Sequence, residues 1–121
     1  MILADTSIWI RHLSTPDHPL TTELMKNNIS IHSIVIGELA CGSLSHRKAI
    51  LADLNDLPHV IGVQHTDVMQ FVEHLKLYSR GVGYSDFHLL AATKLGQAHA
   101  LWTADRRLNQ LAIELGVAYQ P

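Results

Sequence analysis

Short runs of consecutive apolar residues alternate along the chain with longer stretches in which apolar positions recur every three or four residues. Five runs are too short for helices and end at polar or turn-forming residues: Ile2–Ala4, 29–33, 59–63, 98–103 and, more weakly, 117–119. These are predicted as strands. The stretches between them predict helices. Leu20, Leu24 and Met25 share a face after Pro19, residues 34–44 follow the second strand, and residues 48–57 make a helix that Pro58 ends. Val68, Phe71, Val72, Leu75 and Tyr78 mark an amphipathic helix. Residues 86–95 are apolar on most sides, as expected of a helix buried against several neighbours. Leu108, Leu111, Ala112 and Leu115 define the last helix, with Gly116 at its C′ position.

Strands alternating with helices imply parallel pairing through right-handed crossovers. Strands apolar on both sides imply a sheet covered on both faces. The expected fold is therefore α/β, a three-layer α/β/α sandwich with a mostly parallel sheet of about five strands. No Gly/Ser linker, low-complexity tract or solenoid repeat interrupts it, so residues 1–121 are expected to form one domain. The longest stretch without Asp, Glu, Lys or Arg is 27–37, against the ~20 residues of a spanning helix. The start has no basic region followed by a long apolar one. Cys41 is the only cysteine and has no disulfide partner within the chain. A cytoplasmic protein without membrane contact is the expectation.

Charge complicates the choice of partner. Nine Lys and Arg against 11 Asp and Glu give a net −2, whereas binding to nucleic-acid phosphates needs cations. The positions of the acids matter more than their number. Asp5 ends the first strand, and Asp105 follows Thr103 at the end of the fourth. Asp86 opens the apolar helix, and Glu38 sits in the least charged part of the chain. Ligands of open parallel sheets bind beyond the carboxyl ends of the strands, and all four acids can be placed at that edge. An Asp between strand and helix also serves as an N-cap, so for Asp5 and Asp105 both readings stand; at Asp86, Ser85 is the better cap. No Lys or Arg lies between Lys26 and Arg47. A buried Glu38 must then be paired, neutral or metal-bound, unless its helix face is turned to solvent.

Converging carboxylates raise one another's pKa values unless a cation is present. Oxygen ligands without cysteine or a close histidine pair suit Mg²⁺ or Mn²⁺, one ion or two. Such ions activate water and stabilise a leaving oxygen, the chemistry of phosphodiester hydrolysis.

These residues resemble the PIN-domain ribonucleases, and most closely the VapC-type toxins of bacterial toxin–antitoxin pairs. Four segments carry the resemblance, spread along the chain in order: Asp5-Thr6-Ser7 with Trp9-Ile10; Ile36-Gly37-Glu38-Leu39; Asp86-Phe87-His88-Leu89-Leu90-Ala91-Ala92-Thr93; and Thr103-Ala104-Asp105. The resemblance implies that Asp5, Glu38, Asp86 and Asp105 are a catalytic, metal-binding quartet. It implies that Thr6 or Ser7 and Thr103 supply hydroxyls that orient carboxylates or water. It further implies a Mg²⁺- or Mn²⁺-dependent endoribonuclease with an RNA substrate, a cognate antitoxin partner and a homodimeric state. Many relatives carry a further Asp two residues beyond the Asp105 position, followed by Phe. Here those positions hold Arg107 and Leu108, so the site relies on four carboxylates and Leu108 takes the apolar place. Arg106 and Arg107 read either as RNA-backbone contacts or as a solvated basic turn.

Other residues carry less. The nine histidines show no metal-ligand spacing, and His88 points roughly opposite Asp86 on a helix. Cys41 reads as a small core residue, and Trp9 and Trp102 as buried beside the sheet. Gly81-Val82-Gly83 reads as the turn that delivers the Asp86 helix, since it lacks the rest of a phosphate loop. The alternatives to a toxin nuclease are a housekeeping PIN nuclease, a Mg²⁺-binding phospho-acceptor domain and a binding-only domain with a degenerate site. Without the four site acids, seven acids face nine bases, and two divalent ions would carry the complex to a net positive charge. Net charge thus ceases to argue against RNA.

Overall fold

β1 (Ile2–Ala4) is buried along its whole length and forms the middle of a parallel sheet. The computed structural model describes all residues, 1–121. β1 pairs with β2 (Ile29–Ser30) on one side and with β3 (Ala100–Trp102) on the other, with Ile2 opposite both Ile29 and Ala100. The two remaining predicted strands are reduced to single parallel bridges, Ile31 with His59 and Leu101 with Ala118. Five segments therefore run side by side, but only three extend as strands. At one edge Pro58 lacks an N–H and Gly62 follows soon after, which ends pairing early. Short edges also leave few unpaired backbone groups open to another chain.

The helices follow the predicted order with shifted ends: α1 (Thr6–Ser14), α2 (Leu20–Met25), α3 (Ser33–Ala40), α4 (Arg47–Asn55), α5 (His65–His74), α6 (Tyr84–Lys94) and α7 (Arg106–Glu114). α1 is the element that the periodicity did not single out. Thr6, Ser7, Ile8, Trp9 and Ile10 are indifferent helix formers. Here the Asp5 cap and the burial of Ile8 and Trp9 support the helix instead. The last helix ends as expected: Gly116 has φ +73°, its N–H bonds Ile113 O, and the Val117 N–H bonds Ala112 O. That is the six-to-one and five-to-two pairing of a glycine-terminated helix.

Packing sorts the helices into two layers. α1 packs on α2 and α3, and α3 on α4; α5 packs on α6, while α6 and α7 lie against β3. Right-handed crossovers explain the split. From β1 through β2 to the His59 bridge the chain moves one way across the sheet, which places α1–α4 on one face. It then returns past β1 to β3 and moves on to the Ala118 bridge, which places α5–α7 on the other. One continuous apolar core joins both layers through Leu3, Ile31, Leu89, Leu90 and Leu101, all fully buried. The direction of travel reverses beside β1, and that switch point opens a crevice at the carboxyl ends of β1 and β3.

Candidate active site

Asp5 stands at this crevice, one residue beyond β1, and only 4% of it is exposed. Its carboxylate is held on both oxygens. Oδ1 accepts from the Ser7 hydroxyl at 2.5 Å and from the Ile8 N–H at 3.1 Å, and Oδ2 accepts from the Thr103 hydroxyl. The same hydroxyls are acceptors in turn: Ser7 Oγ takes the Ala104 N–H at 2.9 Å, and Thr103 Oγ1 takes the Asp105 N–H at 3.0 Å. The ends of β1 and β3 are thus tied through Asp5. Burial pushes the Asp5 pKa above its ordinary value, against the lowering effect of these donors.

Asp105 caps α7, its Oδ1 accepting from the N–H groups of Arg107 (2.9 Å) and Leu108 (3.0 Å). Asp5 caps α1 in the same way. Capping and a place at the site are therefore not alternatives for either residue. The cap fixes the carboxylate at the sheet edge and leaves lone pairs directed elsewhere. Asp86 is not a cap, and neither is Ser85. α6 begins at Tyr84 behind Gly83, without a side-chain cap, which places Asp86 in its first turn.

Glu38 corrects one expectation. Residues 34–39 are apolar enough to suggest burial, yet Glu38 is exposed, because Val35 and Leu39 take the buried face of α3. Its tie to the site is the Thr6 hydroxyl, which donates to Glu38 Oε1 at 2.6 Å. Side chains on a helix lean toward its N-terminus, which for α3 is the carboxyl edge of the sheet.

Asp86 reports on all four carboxylates. Its pKa is pushed up to about 6, first by burial and then by the charges of Asp5, Glu38 and Asp105, with no hydrogen bond to offset them. Asp86 is therefore near enough to each of the other three to be repelled by it. The four acids are not close enough, as the side chains stand, for any three to enclose an ion. The donor set nevertheless fits a hard divalent cation. Asp86 receives no hydrogen bond, and Glu38 and Asp105 each accept on one oxygen only.

His32 is a residue that the sequence did not bring forward, having read as part of the second strand. It is 4% exposed at the carboxyl end of β2 and caps α3, its Nδ1 accepting the Ile34 N–H at 3.0 Å. Its proton is therefore assigned to Nε2, which is buried without a partner. Only its place at the end of an apolar run hinted at this. Burial, then the nearby His88, lower its pKa. The His88 ring packs edge-on against Tyr84, with centroids 4.7 Å apart. Trp9 and Trp102 are buried as expected, each 4% exposed. Cys41 is not in the core: it caps the C-terminus of α3 and is exposed, because the helix ends there at the surface. Gly83 does deliver α6, and Leu108 is fully buried.

Acids from four elements, brought near Asp86 at the switch point of a parallel sheet, are accompanied by a match to the PIN domain over residues 2–114. The chain belongs to the PIN-domain family. Within it the chain is of the VapC type, being 40% identical over 118 residues to Ribonuclease VapC32 of Mycobacterium tuberculosis, in strains CDC 1551 / Oshkosh and ATCC 25618 / H37Rv alike. That alignment covers 98% of this chain and 95% of the relative. The fold is similar to that in the crystal structure of FitAcB from Neisseria gonorrhoeae, with a TM-score of 0.62 at 17% identity. It covers 98% of this chain and 95% of that one. The family assignment sets aside the phospho-acceptor alternative.

Proposed function

We propose that the chain is a Mg²⁺- or Mn²⁺-dependent endoribonuclease that hydrolyses RNA phosphodiester bonds. We further propose that it is the toxin of a toxin–antitoxin pair, acting in the cytoplasm as a single-domain homodimer with a cognate antitoxin. The observation that carries the reading is the group of four carboxylates at one sheet edge, with Asp86 unbonded and repelled by the other three. The relative named as a ribonuclease supports it, through 40% identity over nearly the whole chain.

Asp5, Glu38, Asp86 and Asp105 would hold the ion or ions. A divalent cation bound there would supply positive charge to a phosphoryl oxygen and would lower the pKa of water, the chemistry that phosphodiester hydrolysis calls for. The protein's own part is positioning. Ser7, Thr103 and the Ile8 N–H lock both oxygens of Asp5. Thr6 holds Glu38, and the α7 backbone holds Asp105. Asp86 keeps both oxygens free and takes up a proton near pH 6 when no cation is bound. Protonation there relieves the repulsion that otherwise accompanies an empty acidic cluster.

The test is cleavage of single-stranded RNA by the purified protein with Mg²⁺ or Mn²⁺. Chelation should stop it, and Asp86→Asn should reduce it by about a hundredfold or more. Full cleavage by both Asp5→Asn and Asp86→Asn would refute the reading. Expression should arrest growth, with rescue by a small co-encoded protein; growth unaffected by high expression would leave a housekeeping PIN nuclease.

A further inference from the structure

Along α7, the helix that Asp105 caps, lies an open cleft of about 470 Å³, lined by Arg80, Arg106, Arg107 and Gln110 and by no apolar side chain. That volume lies in the range of ligand sites, about 300–1,000 Å³, but the lining is not that of an apolar-ligand pocket. Arg106 and Arg107 follow Asp105 directly and form the first turn of α7. Arg80 comes from the loop ahead of α6, the helix that carries Asp86. The cleft is therefore built on α7, which Asp105 caps, and on the loop that leads into the helix of Asp86.

Its three arginines are not equivalent. Arg80 makes a two-pronged pair with Glu114, at 2.6 and 3.2 Å, and Gln110 steadies the same Glu114 at 3.2 Å. This pair anchors the loop to α7. Arg106 and Arg107 have no carboxylate within ion-pair distance; the ion pairs of the chain are Lys26–Glu23 and Arg80–Glu114. Arg107 is also seated against the backbone of Gly81. A side-chain carbon at position 81 would lie 2.5 Å from Nη1, 2.8 Å from Cδ and 3.0 Å from Cζ of Arg107, and Gly81 has φ +77°. Only glycine meets both requirements without displacement. The loop thus has a shape that accommodates the Arg107 side chain.

We propose that this cleft binds the backbone of the RNA strand next to the bond cut at the carboxylates, with Arg106 and Arg107 contacting its phosphates. The inference rests on the ribonuclease reading above and names where that site holds its substrate. An acidic crevice repels an anionic strand, and two unpaired guanidiniums next to Asp105 supply attraction where it is needed. Guanidinium forks match phosphate oxygens. The absence of aromatic or apolar lining favours the backbone over the bases, so the contact is indifferent to base identity.

The test is binding of a fluorescent single-stranded RNA across a range of NaCl, with Mg²⁺ present and Asp86→Asn in every protein to prevent cleavage. Each phosphate contact on a single strand contributes about 0.7 to the slope of log K against log salt. Arg106→Ala with Arg107→Ala should therefore flatten the slope by about 1.4 and weaken binding about tenfold or more at low salt. Lysine at both positions should restore most of the slope. Lys94→Ala, at the opposite end of α6 from Asp86, should leave it as it was. An unchanged slope in the double alanine variant overturns the proposal, and if the wild-type chain, with Asp86 intact, cleaves RNA, the ribonuclease reading survives. A wild-type chain that neither cleaves nor binds RNA removes both. Preference for poly-L-glutamate over RNA, lost in the double variant, would assign the cleft to an acidic protein and overturn the proposal.

Discussion

Thr6 and Glu38 are 32 residues apart in sequence, and the Thr6 hydroxyl donates to Glu38 Oε1 across 2.6 Å. The bond joins the first turn of α1 to the middle of α3, the two helices that flank the crevice on one face. It is exposed, so it contributes little to stability, about 0.5–1 kcal/mol at most. Its effect is to restrict one rotamer-rich carboxylate.

Thr6→Val should accordingly leave the melting temperature nearly unchanged and lower kcat for RNA cleavage about tenfold, the smaller end of the loss typical when a ligand's supporting bond is removed. Thr6→Ser should restore it. Equal cleavage by wild type and Thr6→Val would show that Glu38 needs no such support.

Thr103 behaves differently because it is 9% exposed and has two partners. It donates to Asp5 and accepts from the Asp105 N–H. Thr103→Val keeps the volume and orphans both groups, at a cost of about 1–3 kcal/mol. Urea unfolding should show that loss, and cleavage should fall more than stability alone explains. Thr103→Ser should recover both. A fully stable valine variant would mean that water replaces the hydroxyl.

The positions of Asp5, Asp86 and Asp105 in the fold were legible in sequence because strand ends and helix starts are local features, and chain direction alone assigns them to one edge. Glu38 was placed beside them for an incomplete reason. The apolar residues around it fill the buried face of α3, while Glu38 itself faces outward and is tied in by Thr6, a tertiary contact that no local pattern encodes. The outer strands were overestimated, since a short apolar run does not reveal whether a neighbour continues beside it. The arginine cleft was half visible. Arg106 and Arg107 are adjacent in sequence, but Arg80 and the seat on Gly81 exist only once the loop has folded against α7.

His32 predicts a specific acid sensitivity. Burial and the nearby His88 hold its folded pKa below the ordinary 6.5. Between those two values the unfolded chain binds more protons, so stability is complete above about 6.5 and is lost as pH falls toward the folded pKa. His32→Asn keeps an oxygen to cap α3 but has no proton to gain. Urea midpoints at pH 7.5 and 5.5 should therefore fall further for wild type than for His32→Asn. Parallel curves would show that the imidazole does not titrate in this range.

Asp86 has the opposite sign. Its folded pKa of about 6 lies above the ordinary 3.8, so without metal its charge destabilises the fold above pH 6, and that penalty fades as pH falls from 6 toward 4. Solvent screening reduces the effect to the order of 1 kcal/mol. In chelator at pH 7, Asp86→Asn should therefore melt higher than wild type, and at pH 4 the two should nearly coincide. Mn²⁺ at pH 7 should reverse the ranking, because wild type retains all four carboxylates while the variant has lost the one with both oxygens free. The repulsion that destabilises the empty site is the same interaction that a cation relieves. A variant that melts lower in chelator, or a wild type indifferent to Mn²⁺, would separate the acidic cluster from metal binding.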